Sequence, residues 1–202
     1  MAARSQDRVI ALYEAHGALW AEKRDKSLFE RGWLDRFCAL LPERGSILDA
    51  GCGTGDPIAR SLLRAGFQVT GVDASPGMIA QFRAQAPNAE AVVGDLRTLA
   101  LGAQFHGLLA WHSLFHLAPE DQRTALATLA AHAAPRAALM FTAGPQAGES
   151  EGRLAGEALY HASLSDGEYR AILRGHGFIC VAQRMHDADC RGASVWLFQR
   201  DG

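Results

Sequence analysis

Ile47-Leu48-Asp49-Ala50-Gly51-Cys52-Gly53-Thr54-Gly55 is the most informative segment of the chain. Its apolar start reads as a strand, and three glycines at alternate positions read as a turn into a helix. Glycine lets such a turn adopt positive φ and lets a ligand approach the main chain, while the first turn of the next helix offers unpaired N–H groups. A nucleotide-like ligand is the expectation. The spacing then separates two kinds of nucleotide. A dinucleotide fingerprint, G-x-G-x-x-G/A, needs a small residue at position 56, and the chain has Asp56, a carboxylate where a pyrophosphate would sit. A nicotinamide-dependent oxidoreductase shares the topology but fails there.

Outward from this turn, helix-like and strand-like hydrophobic periods alternate, the pattern of βα repeats and a mainly parallel sheet. Two helices, about Gln6 to Lys23 and Leu28 to Leu41, precede the first strand, the second stopped by Pro42 and the Glu43-Arg44-Gly45 turn. Strands are expected near Ser46–Ala50, Gln68–Asp73, Ala89–Val93, Gly107–Trp111 and Ala137–Thr142. The helices between them, Pro57–Ala65, Pro76–Ala86 and Pro119–Ala133, each open with proline, where a missing N–H costs least. In the last of these Ala125, Leu126, Leu129 and Ala133 share one face, with Gln122 and Arg123 facing away. Residues 143–165, with several glycines and with Glu149 and Glu151, read as a long loop or partly helical excursion, uncommon in a compact domain unless it has a task. Ser165-Asp166-Gly167-Glu168 is a capping box opening a helix to about Arg174, and Phe178–Gln183 with Ala193–Gln199 fit an antiparallel pair.

Composition limits the functions available. The chain has 202 residues, 49% of them hydrophobic, enough for the core of one α/β domain spanning 1–202. The net charge of −2 provides no basic field for nucleic acid, so a small-molecule partner is expected. The charged residues Arg4, Asp7 and Arg8, and the lack of a long apolar run, argue against a signal peptide or membrane span and make the cytoplasm the expected location. Cys38, Cys52, Cys180 and Cys190 show no C-x-x-C spacing, so reduced structural thiols are expected, with neither a zinc site nor a disulfide framework.

Three motifs in order, Ile47–Gly55, Gly71-Val72-Asp73-Ala74-Ser75-Pro76-Gly77-Met78-Ile79 and Gly94-Asp95-Leu96, resemble those of the class I S-adenosylmethionine (SAM) dependent methyltransferases. The resemblance runs from about Tyr13 to Gln199. It implies a doubly wound, Rossmann-like sheet of seven strands, mainly parallel, with an antiparallel last strand and helices on both faces. It further implies an enzyme that transfers the methyl group of SAM to an N, O or other nucleophile of a small molecule, leaving S-adenosylhomocysteine. Asp73 would accept both ribose hydroxyls, and it ends a strand 18 residues past Gly55, where a ribose-binding acid belongs. By resemblance Asp95 accepts from the adenine amino group, the Leu96 N–H faces a ring nitrogen, and Met78 and Ala74 flank the nucleoside. Asp49 orients the loop of Gly51, Cys52 and Gly53, with Cys52 a small filler. Tyr13, Trp20 and Arg24 resemble an N-terminal lid within residues 1–41, Arg24 suiting a carboxylate through its planar fork.

The Leu109–Leu117 segment leaves the fourth strand at the edge where the methyl donor and acceptor meet in the family. Trp111 flanks that end. His112 and His116, four apart, would share a face if the turn is helical, a geometry that also suits metal, but no third ligand is apparent and none is assigned. His116 reads either as support for its loop or as a base. Residues 143–165 are a substrate-side insertion presenting Glu157, Tyr160, His161 and Ser163, with Tyr160 either lining the acceptor pocket or anchoring the loop. His116, His112, His161 and Tyr160 are thus the catalytic candidates. A base is needed only if the nucleophile arrives protonated. The alternatives are a SAM-binding protein without transferase activity and an RNA methyltransferase, the latter against Arg153 as the sole fixed cation of 143–165. A homodimer is compatible with all of these.

Overall fold

A computed structural model describes residues 8–202. The expected start of the first helix at Gln6, and the charged Arg4 and Asp7, lie outside the described residues. Helix α1 (Val9–Lys23) and the short α2 (Arg31–Cys38) lead into a βα series: β1 (Ser46–Ala50), α3 (Ile58–Arg64), β2 (Gln68–Asp73), α4 (Pro76–Gln85), β3 (Glu90–Val93), β4 (Phe105–Ala110), α5 (Pro119–Ala131) and β5 (Ala133–Ala143). A hairpin of β6 (Gly148–Leu154) and β7 (Glu157–Ser163) follows, then α6 (Asp166–Gly175), β8 (Phe178–Asp187) and β9 (Ala193–Arg200). Seven strands form one sheet in the order β3-β2-β1-β4-β5-β9-β8. The first five are parallel, and β9 runs antiparallel to both β5 and β8.

The central strands β1, β4 and β5 are buried on both faces, which is why they read as nearly continuous apolar runs, whereas β3 and β8 at the sheet edges are exposed or half-buried along most of their length. Leu48, Leu108, Leu139 and Phe141 pack with Ala125, Leu126 and Leu129 of α5 and Tyr169 and Leu173 of α6. Their alternating neighbours Ile47, Leu109, Ala138 and Met140 pack with Trp33, Leu34 and Phe37 of α2, Ile58 and Leu62 of α3, and Phe82 of α4. Strand β1 lies between β2 and β4, where the strand order reverses, so the crevice at its carboxyl end opens beside the glycine turn. Among the described residues no helix is long and apolar enough to cross a membrane.

Several expectations are corrected. Residues 143–165 are not a loop or helical excursion. Ala155 and Gly156, both at positive φ (52° and 89°), close a two-residue turn between β6 and β7, and this pair forms its own two-stranded sheet. Leu154, Leu159, Tyr160 and Ala162 bury themselves against Val9 and Leu12 of α1. Gln122 does not face away from the core: it is fully buried, because α5 is covered by α6 and β7 as well as by the sheet. Its Nε2 donates to the carbonyls of Leu117 (2.9 Å) and Ala162 (2.8 Å), and its Oε1 accepts from the Tyr169 hydroxyl at 2.7 Å. Ala133 leaves the helix and opens β5 opposite Phe105. At α6 only half of the capping box forms: Ser165 Oγ accepts from Glu168 N, while the Glu168 carboxylate pairs with Arg123.

Candidate active site

The carboxyl ends of β1, β2 and β4 and the residue pair after β3 form the floor of a cleft of about 260 Å³. After β1, Gly51 N and Cys52 N donate to the Val72 carbonyl (2.7 and 3.0 Å), tying the turn to the neighbouring strand. Gly51 has φ +75°, and a Cβ there would sit 2.2 Å from Ser113 Cβ, so glycine is required for both conformation and space. Ser113 Oγ in turn donates to the Ala50 carbonyl at 2.6 Å, joining the turn to the segment after β4.

Asp73 closes β2. One carboxylate oxygen accepts from Gly53 N at 3.0 Å and the other from Ser75 N at 2.9 Å, which fixes the carboxylate at the floor with lone pairs to spare. Helix α4 is capped by Ser75, whose Oγ accepts from Met78 N at 3.1 Å, so Asp73 is not needed as its cap. Asp49 is buried beside it, and burial together with the Asp73 charge lifts its pKa to about 7. Burial also raises Asp73. Two neighbouring carboxylates held partly out of water favour a cationic group nearby. Cys52, half-buried, is pushed well up by burial and is an inert filler.

Asp95 and Leu96 line the same cleft. Both Asp95 oxygens accept from Arg97 Nε (2.9 and 3.0 Å), which holds its carboxyl below the usual range, and Arg97 Nη1 continues to Asp121 of α5 at 3.0 Å. Met78 lines the cleft and packs under α1: a Cβ at Gly17 would lie 3.1 Å from its Cε.

The roof is α1. Trp20 lies over the glycine turn, its ring 3.4 Å from where a Gly53 Cβ would be, and Tyr13 meets Trp20 edge-on at 6.1 Å. Glu14, which carries no sequence signal, accepts from Ser75 Oγ (2.6 Å) and Gly77 N (3.0 Å), docking α1 on the first turn of α4. Tyr13 OH lies 3.0 Å from His116 Nε2, and His116 Nδ1 lies 3.1 Å from the Tyr160 carbonyl. A carbonyl only accepts, so Nδ1 carries the ring proton and Nε2 accepts from the phenol. Both ring nitrogens are therefore engaged. Burial lowers His116 to about 3 and raises Tyr13 well above the usual phenol range, so the pair is neutral at pH 7.

His112 and His116 do not share a helical face. His112 stands alone at positive φ (53°), its N–H donating to Thr142 Oγ1 at 2.8 Å, and only Leu114–His116 form a short 3₁₀ turn. Burial and Arg24 lower the His112 ring to about 4. Among the described residues no group of three His, Cys, Asp or Glu side chains could hold a metal. Tyr160 and His161 are not among the residues lining the cleft. The Tyr160 ring is buried between the hairpin and α1, and His161 lies behind His116, ring centroids 5.1 Å apart. Arg24 and Trp111 do line it, and Trp111 Nε1 is buried without a partner among the described residues. Asp56 lines the cleft mouth, paired with Lys26 (3.3 Å) and Arg60 (3.4 Å).

Residues 47–136, from the first strand of the floor into β5, match the family model described as a methyltransferase domain. These residues carry a methyltransferase domain. The chain is 33% identical over 138 residues to the malonyl-[acyl-carrier protein] O-methyltransferase of Pseudescherichia vulneris, covering 67% of this chain and 50% of that one. It is 35% identical over 96 residues to the dTDP-3-amino-3,6-dideoxy-alpha-D-glucopyranose N,N-dimethyltransferase of Streptomyces fradiae, covering 46% and 37%. The chain spans half or less of the length of the curated relatives it matches. In fold it is similar to the magnesium protoporphyrin IX methyltransferase of Synechocystis PCC 6803 with bound SAM, at a TM-score of 0.75, 19% identity and 99% coverage of each chain.

Proposed function

We propose that the chain, as one domain over 1–202, binds SAM in this cleft and transfers its methyl group to a small-molecule acceptor. The observation that carries the reading is the floor. A turn whose glycines admit close approach is locked to Asp73, and Asp73 keeps lone pairs for a diol while Asp49 beside it favours a cation. Residues fit the remaining parts of the ligand. Arg24 offers donors to a carboxylate, the orphaned Trp111 N–H another, and Asp95 with Leu96 frames the base end. SAM supplies an already electrophilic methyl on a sulfonium, so the protein's task is to align an acceptor about 3 Å from it and to exclude water.

No strong base is supplied by His116, whose nitrogens are both bonded and whose pKa lies far below neutrality. The proposal therefore assigns His116 to holding the roof and favours an acceptor whose nucleophile arrives with a free lone pair, an unprotonated amine or a carboxylate. The O- and N-methyltransferase relatives are consistent with either. Cleft residues Val9, Ile10, His112 and Leu117, rather than Tyr160, are assigned to acceptor choice. A cytoplasmic location and a homodimer complete the reading, and light scattering checks the latter. Methyl-labelled SAM incubated with amine, carboxylate and phenol panels tests the whole: label should pass to an amine or carboxylate with equimolar release of S-adenosylhomocysteine. Binding of SAM without transfer to any acceptor would instead favour a SAM-binding protein, and transfer only to RNA would refute the small-molecule assignment.

A further inference from the structure

Glu30 is a buried carboxylate that the site does not yet explain. It is fully buried, one oxygen accepts from Arg24 Nη2 at 2.6 Å, and the other has no partner among the described residues. A buried carboxylate with one contact is expensive, because its desolvation is offset only if all its lone pairs find donors. Glu30 stands at the residue before α2, yet its side chain accepts nothing from the helix N–H groups, so helix capping does not account for it. What it does touch is Arg24. Arg24 lines the cleft with its side chain only 13% exposed, its guanidinium lying over the Phe29 ring at 5.3 Å.

We propose that Glu30 is a positioning residue: its carboxylate grips one end of the Arg24 guanidinium, and Phe29 supports the planar face, so that the remaining N–H donors are held ready for the carboxylate of the ligand. The fork of arginine is planar, so fixing one nitrogen and the face fixes the direction of the others. The orphaned oxygen is the cost of this pre-organisation, as strained or poorly satisfied groups collect where a site needs a side chain held in place. The inference rests on the cleft's reading as a SAM site in which Arg24 meets the amino-acid end.

Two ligands that differ in that end test it. S-adenosylhomocysteine carries the carboxylate, and 5′-methylthioadenosine lacks the whole amino-acid group. In calorimetric titrations Glu30→Gln should weaken S-adenosylhomocysteine about tenfold, the scale of one misdirected charge-assisted pair, and leave methylthioadenosine within about twofold. Glu30→Asp keeps the charge but withdraws it from Nη2 and should show the same selectivity, which covers the case where Glu30→Gln does not fold. In an Arg24→Gln background, Glu30→Gln should weaken S-adenosylhomocysteine no further. Equal weakening of both ligands would make Glu30 merely structural, and no weakening would leave it without a role at Arg24; either overturns the inference. If the unaltered protein binds the two ligands equally, the SAM reading stands and the positioning inference alone falls. If it binds neither, the SAM reading itself fails and the inference falls with it.

Discussion

The floor and the roof of the cleft are built by opposite means. The floor comes from residues at the ends of adjacent parallel strands, where Gly51 N and Cys52 N donate to the Val72 carbonyl and Gly53 N donates to the Asp73 carboxylate. The roof comes from α1, which is anchored by side chains reaching far along the sequence: Tyr13 to His116, Glu14 to Ser75, and His16 and Arg8 to Glu157 of β7. A floor of main chain is stiff and shows in a short motif. A roof of single side-chain contacts is adjustable, and each contact is individually weak, so substitutions should divide into large effects below and small ones above.

The largest effect should come from Gly51→Ala. Positive φ and a Cβ 2.2 Å from Ser113 together should cost about 3 kcal/mol in chemical denaturation and abolish measurable binding of S-adenosylhomocysteine. A variant as stable as the parent would mean that the floor can move.

The second effect is one of pH. His112 and His116 have folded pKa values of about 4 and about 3, below the unfolded 6.5, so the unfolded chain binds more protons between these limits and stability is lost as pH falls through them. Between pH 6.5 and 5 each should cost about 2 kcal/mol. Asp49 works in the opposite sense: its pKa is raised to about 7, so its burial destabilises most above that value and the penalty fades as pH falls. Melts of His116→Asn should lose part of the acid sensitivity and Asp49→Asn part of the alkaline one; profiles parallel to the parent would contradict these assignments.

A smaller effect is expected from Tyr13→Phe, which removes one hydrogen bond between roof and wall and leaves His116 Nε2 without its donor. About 1 kcal/mol of stability should be lost, and S-adenosylhomocysteine should bind several-fold more weakly. The smallest belongs to Tyr160→Phe. Its hydroxyl is buried with no hydrogen-bond partner among the described residues, so its loss should raise stability by up to about 1 kcal/mol and leave acceptor turnover unaltered. A large fall in turnover would return Tyr160 to the acceptor site.

The same contrast explains what the sequence discloses. The βα alternation, the glycine turn, Asp73 and the Ser75 cap follow from local spacing, because backbone geometry ties them to their neighbours. The hairpin of residues 148–163 does not: β6 carries Leu154 as its only large apolar residue, so no alternation announces it, and its buried face exists only because α1 lies on it. Gln122 reads as a solvent-facing residue until α6 and β7 arrive. Glu14 and Glu30 look like ordinary surface acids, since nothing within a few residues of either indicates the partner that gives it a role in the cleft.

Whether the floor holds SAM through Asp73 is decided by a calorimetric titration of the parent and Asp73→Ala with S-adenosylhomocysteine, with NADH as control. The parent should bind S-adenosylhomocysteine saturably and NADH not at all, and the variant should bind S-adenosylhomocysteine roughly 10- to 150-fold more weakly, equal to about 1.5–3 kcal/mol of hydrogen bonds to a charged group. An unchanged dissociation constant in Asp73→Ala, or no binding by the parent, would contradict this role of Asp73.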